Sequence, residues 1–138
     1  MKSQRILLTW MIDDANVLQQ IRRVIRSDDF TEPLYRTVAE LLYQQMDEGL
    51  VNPAQIMNHF SDEEEHRKVA ELFHTKIREL TTREEQEKAL NETVRRVKQN
   101  SLDEMARRLE PTDIAGLQKL MEDKRALQDA KGLHISII

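Results

Sequence analysis

Between Thr82 and Pro111 the chain has no glycine or proline, so no residue in this stretch interrupts a helix. Thr82 and Glu85 form a capping box at the start of the stretch, and Pro111 ends it. The sequence therefore predicts one helix from Arg83 to Leu109, about 27 residues and about 40 Å long at ~1.5 Å per residue. Because a core of five short helices does not need so long a helix, its second half should project from that core.

The rest of the chain also favours helices, because only three glycines and three prolines occur among 138 residues. Apolar residues recur at helical spacing and no strand pattern is present. The expected fold is all-α: a small helical bundle over residues 1–81, followed over residues 82–138 by the long helix and a C-terminal helical hairpin. Trp10 and Phe73 are expected in the core.

Residues that favour helix ends set the expected boundaries of the other helices. Gly49 should end the third helix and Gly132 the last one. The second helix should run to about Arg26, and residues 27–30 should form a turn. The expected N-caps are Ser3, Asp13 or Asp14, Thr31, Asn52, Ser61, and Thr112 or Asp113.

The composition excludes several classes of protein. Without cysteine, the chain has no disulfide, thiol nucleophile or thiolate metal site. No apolar run approaches the ~20 residues of a membrane-spanning helix, and no secretory signal is recognisable, so we expect a cytoplasmic protein. The net charge of -4 disfavours autonomous binding to nucleic acid.

No residue pattern indicates catalysis, so we expect this chain to be no enzyme and to bind no cofactor or metal. His66 follows four acidic residues, 62–65, but acids are also favoured there by the helix dipole. Three basic groups are interpreted as solvated helix faces or as contacts for an acidic partner or a nucleic acid. These groups are Arg22, Arg23 and Arg26; Arg95, Arg96 and Lys98; and Arg107 and Arg108.

The C-terminal segment is unusually apolar for a chain end, which is normally polar and frayed. Four of the last six residues are large and aliphatic: Leu133, Ile135, Ile137 and Ile138. The segment could fold back onto the hairpin or the bundle, or form an exposed hook that docks into a partner's groove. We expect the hook, with Leu127 on the preceding helix as a further apolar contact and with Arg125 and Lys131 at its polar rim.

Three blocks of sequence resemble the C-terminal, helicase-binding domain of bacterial DnaG-type primases. SQRILLTWMIDDANVLQQI, at 3–21, is similar to the family's first two helices. TEPLYRTVAELLYQQMDEG, at 31–49, resembles its next helix, and EEQEKALNETVRRVKQNSLDEMARRL, at 84–109, its long connecting helix. The resemblance is one of order and pattern over almost the whole chain.

The resemblance implies a helical bundle and a hairpin that bind the N-terminal region of the replicative hexameric helicase and so recruit primase for primer synthesis. It also implies that the zinc-binding and polymerase regions of the primase are absent from this chain. Two alternatives stay open. One is a DNA-binding transcription regulator in which the helix from Asn52-Pro53 to Phe60 and the following helix, capped by Ser61, form a helix-turn-helix. The other is a metal-dependent helical hydrolase that uses His66.

Overall fold

The structure is a computed structural model that describes residues 2–49, 51–74, 82–128 and 134–137. Within these residues the chain forms seven α-helices, one 3-10 helix and no strand, which confirms the all-α expectation. The 3-10 helix spans Ser27–Asp29, where a turn was expected. The α-helices are α1 (Lys2–Asp13), α2 (Ala15–Arg22), α3 (Pro33–Asp47), α4 (Pro53–His59), α5 (Glu63–His74), α6 (Arg83–Arg108) and α7 (Ile114–Gln128).

Several helix ends lie where the sequence predicts them. Asp14, Asn52 and Thr82 each accept a hydrogen bond from a backbone N–H in the following turn, at 2.9, 3.1 and 3.2 Å. Asp113 accepts one from Gly116 at 2.8 Å and so caps α7. Gly49 follows α3 with a φ of 89°, a left-handed conformation that costs glycine little.

Four boundary expectations are wrong. Ser3 is not the N-cap of α1, because this helix already begins at Lys2. α3 begins at Pro33 without a cap from Thr31, because the Thr31 hydroxyl accepts a hydrogen bond from Gln4 Nε2 at 2.7 Å. α5 is capped by Asp62, whose carboxylate accepts the Glu65 N–H at 3.1 Å, and not by Ser61. α2 ends at Arg22 and not near Arg26. The end of α5 beyond residue 74 and the expected stop at Gly132 lie outside the described residues.

The main apolar cluster draws on all of the first six α-helices. Trp10 is 8% exposed and belongs to this cluster, as expected, whereas the side chain of Phe73 lies outside what the structure describes. α1 is central, since it packs against α2, α3, α5 and α6. Fully buried members include Leu7, Leu8, Ile21, Ile25, Phe30, Val38, Leu42, Ile56, Val69, Leu90, Val94 and Val97.

A second, smaller cluster lies between α6 and α7. It consists of Leu102, Leu120 and Leu127, with Leu109 at its edge. The Leu109 side chain lies against Gly116, and Arg95 bonds to Leu127, so the two helices run antiparallel. α7 contacts α6 more than any other helix.

The boundary between the two apolar clusters lies within α6 and not at residue 82. The first half of α6 contributes Leu90, Val94 and Val97 to the main cluster, whereas Leu102 belongs to the second one. Polar bonds to the bundle continue to Ser101, so α6 stays on the bundle beyond its midpoint. The division of the chain into a bundle subdomain of residues 1–81 and a hairpin subdomain of residues 82–138 stays a prediction.

Candidate partner-binding surface

The tail segment, residues 134–137, does not form an exposed hook. Ile135 is 1% exposed and belongs to the main cluster, and Ile137 is partly buried and packs against the same cluster. The expectation of exposure is therefore wrong for these two residues, because the bundle offers an apolar site that removes them from water. Leu133 and Ile138 lie outside the described residues.

Side chains of α2 and α6 hold the backbone of the tail segment. Asn91 accepts the N–H of Ile135 at 2.7 Å and donates to its carbonyl at 2.8 Å. Gln20 Oε1 likewise accepts the N–H of Ser136 at 2.8 Å, and Gln20 Nε2 donates to the Ser136 carbonyl at 2.7 Å. The Ile137 N–H donates to Glu87 at 2.8 Å, and its carbonyl accepts from Arg83 at 2.8 Å.

The other expected contact residues have different surroundings. Leu127 is buried in the second cluster, and its carbonyl accepts a hydrogen bond from Arg95 Nη1 at 2.8 Å. Arg125 is exposed on α7, as a rim residue should be. Lys131 lies outside the described residues. The structure therefore does not bring the expected hook together as one exposed surface.

An exposed apolar surface occurs instead on α7. Ile114 is 68% exposed and Met121 61%, and Leu117 between them is also exposed. Their spacing of three and four residues places all three on one side of the helix. We call Ile114, Leu117 and Met121 the α7 face. Sequence analysis did not identify it, because helical spacing shows that residues share a face but not whether another element covers that face.

A groove of about 590 Å³ lies between the end of α6 and the start of α7. Its walls include the exposed Met105 and the apolar Leu109, Ala115 and Leu120. Arg108 and Lys119 bring positive charge to it, and Asp113 and Asp123 bring negative charge. The groove places further apolar surface on the same hairpin as the α7 face.

Four of the eight residues in the basic groups of the sequence form ion pairs with other residues that the structure describes. Arg22 forms a bidentate ion pair with Asp47. These hydrogen bonds lower the pKa of the Asp47 carboxyl. Lys98 Nζ lies 3.1 Å from the buried Asp29. Arg107 and Arg108 both pair with Glu104, whose pKa is lowered chiefly by its hydrogen bond with Arg107. These pairs reduce the positive charge available to a partner.

The acidic residues near His66 lie in the exposed first turn of α5. Within the part of the chain that the structure describes, no three histidine or acidic side chains converge as a metal ion would require. Among the same residues, no helix has both the length and the apolarity needed to cross a membrane.

Comparison of the chain with models of protein families, with curated proteins and with solved structures gave no match.

Sequence analysis also missed the residues that hold the tail. Gln20 lies among the polar residues of α2, and Asn91 is one of several amide residues in the highly charged helix α6. Their bonds join residues 116 and 44 positions apart, respectively. No local pattern contains that information, because helical periodicity shows which face is polar but not what the polar face contacts.

Proposed function

We propose that this chain is a non-catalytic docking domain of a DnaG-type primase, and that it binds the N-terminal region of the replicative hexameric helicase in the cytoplasm. The order of helices in the sequence supports this proposal. The structural observation that carries it is the α7 face, because Ile114, Leu117 and Met121 are all exposed large apolar side chains. Exposed apolar surface of this kind is typical of a protein–protein interface.

The α7 face can supply part of the affinity of a docking interface. Burial of one large aliphatic side chain contributes about 1.5–3 kcal/mol, so the three side chains contribute at most about 9 kcal/mol before the cost of association is subtracted. A micromolar complex, at roughly -8 kcal/mol, therefore also needs contacts with the apolar walls of the neighbouring groove. The exposed Lys124 and Arg125 follow Met121 on α7 and would lie at the rim, where charges increase the rate of encounter more than the affinity.

In this proposal, docking raises the local concentration of primase at the fork. A tethered primase meets newly unwound single strand in an intramolecular step, and the effective concentration depends on the linker. The domain itself performs no chemistry. Its contribution is to hold an attached polymerase beside the helicase.

A helix-turn-helix regulator has less support from the structure. The second helix of that motif would be α5, whose first turn carries the exposed Glu63, Glu64 and Glu65. DNA presents a dense row of phosphates, so three carboxylates at the leading end of a recognition helix would be repelled. No specific observation favours the hydrolase.

Titration calorimetry of the full chain against the N-terminal region of the helicase from the same organism tests the proposal. We expect micromolar binding by the parent chain. The double variant Ile114→Asp, Met121→Asp should bind about a hundredfold more weakly, because each carboxylate would be stranded in an apolar contact. Both positions are exposed, so the fold should be unaffected.

Ala126→Asp is the matched control, because it adds the same charge to an exposed position of α7 five residues beyond Met121. Five residues turn the helix far from the α7 face. This control should bind like the parent. Absence of binding by the parent would overturn the proposed function, whereas equal binding by all variants would place the interface elsewhere.

A further inference from the structure

The tail segment is held as a bound peptide would be held. All six amide and carbonyl groups of residues 135–137 are paired with side chains of the protein. Arg83, Glu87 and Asn91 follow one another at intervals of four on α6 and so line one side of that helix. Gln20 on α2 binds the segment from its other side.

These contacts indicate which peptide segments could bind between α2 and α6. The hydrogen bonds are made to backbone atoms, so they do not depend on the side chains of the segment. Ile135 is fully buried in the core and Ile137 is partly buried against it, so the site requires an aliphatic side chain at position 135 and favours one at position 137. Peptide sites often combine affinity from the main chain with selectivity from a side-chain pocket.

Contacts among the helices themselves position the walls of this groove. α1 packs against α2 and against α6, so it sets the two walls relative to each other. The main cluster contains many other fully buried side chains from the helices, and Ile135 is its only fully buried member from the tail segment. A groove that is bounded by packed helices can stay formed when the segment leaves.

We propose that the groove between α2 and α6 is a peptide-binding site, and that its partner is the tail segment of a second copy of this chain. The tail segment of a second copy has the same sequence as the resident one, so it can make the same hydrogen bonds and the same apolar contact. Exchange of an identical element between two molecules reproduces the contacts of the single chain. Within one molecule the covalent tether favours the resident segment, so the monomer dominates at low concentration. This proposal does not rest on the proposed function.

Two complementary variants of the full chain test the exchange. The tail variant, Ile135→Asp, has an intact groove but a segment that cannot enter the core. The groove variant, Gln20→Glu with Asn91→Asp, has an intact segment but places acceptor oxygens against the carbonyls of Ser136 and Ile135. Both changes of the groove variant conserve side-chain size.

Sedimentation velocity should show that each variant alone is a monomer of 16.3 kDa. Their mixture should form a heterodimer of twice that mass, with a dissociation constant in the micromolar range. A synthetic peptide with the sequence of residues 128–138 should dissociate the heterodimer, and the same peptide with aspartate at position 135 should not. A mixture that stays monomeric, while circular dichroism shows both variants folded, overturns the proposal.

Two further measurements cover the case in which Ile135→Asp does not fold. Ser136→Pro replaces it as the tail variant, because proline removes the N–H that donates to Gln20 without entering the core. The labelled peptide is also titrated into the parent chain. Saturable binding supports exchange with the resident segment, and no binding at about 1 mM peptide contradicts it, since short tethers act at millimolar effective concentration.

Discussion

Asp29 is the residue whose surroundings differ most from what its sequence context suggests. It follows Asp28 in a short connection, yet its side chain is buried and accepts hydrogen bonds from several donors. Ser101 Oγ lies 2.7 Å from Asp29 Oδ1, and Lys98 Nζ lies 3.1 Å from Oδ2. The backbone N–H of Arg26 also donates to Oδ2, at 2.8 Å. Asp29 therefore joins the 3-10 helix to the middle of α6.

Asp29→Ala should lower the free energy of unfolding by about 3–5 kcal/mol, because removal of one partner leaves the mostly buried Lys98 without its counter-charge. Denaturant unfolding followed by circular dichroism measures the change. Asp123→Ala is the matched control, since it breaks a more exposed pair with Lys119 and should cost at most about 1 kcal/mol. Equal effects of the two variants would contradict the role given to Asp29.

Tyr43 should make the stability of the fold fall at alkaline pH. Burial raises the pKa of its hydroxyl, which donates a hydrogen bond to the Ile25 carbonyl at 2.8 Å. Unfolded tyrosine ionises near pH ~10. Above that pH the unfolded chain binds fewer protons than the folded chain, so stability falls as pH rises.

The melting temperature of the parent should therefore fall more steeply between about pH 9 and 11 than that of Tyr43→Phe. At neutral pH the variant should lose about 0.5–1.5 kcal/mol with its hydrogen bond. Tyr35→Phe is the control for tyrosine ionisation in general, and it should keep the steep dependence of the parent. The same slope for Tyr43→Phe and the parent would contradict this account.

At the residue scale, the sequence predicts what depends on near neighbours. Asp14, Asn52 and Thr82 are caps because their partners lie within three residues. Thr31 is not a cap, because its hydroxyl is used by Gln4, 27 positions earlier. The bonds of Asp29 to α6 span 69 and 72 positions, and nothing local to Asp29 indicates them.

At the scale of elements, α6 was predictable and the environment of α7 was not. α6 spans 26 residues from Arg83 to Arg108, close to the predicted limits, because its cap and the absence of helix breakers are local features. α7 has apolar residues on more of its surface than α6 alone can cover. Leu120 and Leu127 occupy the contact, which leaves Ile114 and Met121 in solvent.

The tail segment is a second case in which the sequence predicts an apolar contact but not its partner. Its apolar residues indicated a buried contact, but the sequence does not say whether the partner is another protein or the chain itself. The decision depends on whether α2 and α6 leave a groove of the right width, and on Gln20 and Asn91 being placed to bond its backbone. Both are consequences of tertiary packing around α1.

For the whole molecule, the unequal size of the two apolar clusters predicts unequal stability. The main cluster contains most of the buried side chains, whereas the second has three buried leucines. Local opening is easiest where few apolar contacts must be broken. Hydrogen exchange should therefore be slow in α1, α3 and the first half of α6, and faster in α6 beyond Leu102 and throughout α7.

Mass spectrometry of overlapping peptides after exchange locates this change. The decrease in protection should fall within α6, between Val97 and Leu109, and not at residue 82. Asp29→Ala should move the point at which protection decreases toward the N-terminus of α6, because the substitution removes the hydrogen bonds from Lys98 and Ser101 to Asp29. Uniform protection along all of α6 and α7 would show that the two clusters open as one unit.

The central proposal for the whole molecule is that it docks on the replicative helicase through the α7 face while Ile135 stays buried in the main cluster. NMR spectra of the full chain, labelled at the methyl groups of isoleucine, leucine and methionine, test this during titration with the N-terminal region of the helicase. The signals of Ile114, Leu117 and Met121 should shift or broaden, while that of the buried Ile135 stays unchanged. Changes confined to Ile135 and Ile137, with the α7 signals unmoved, would contradict the claim.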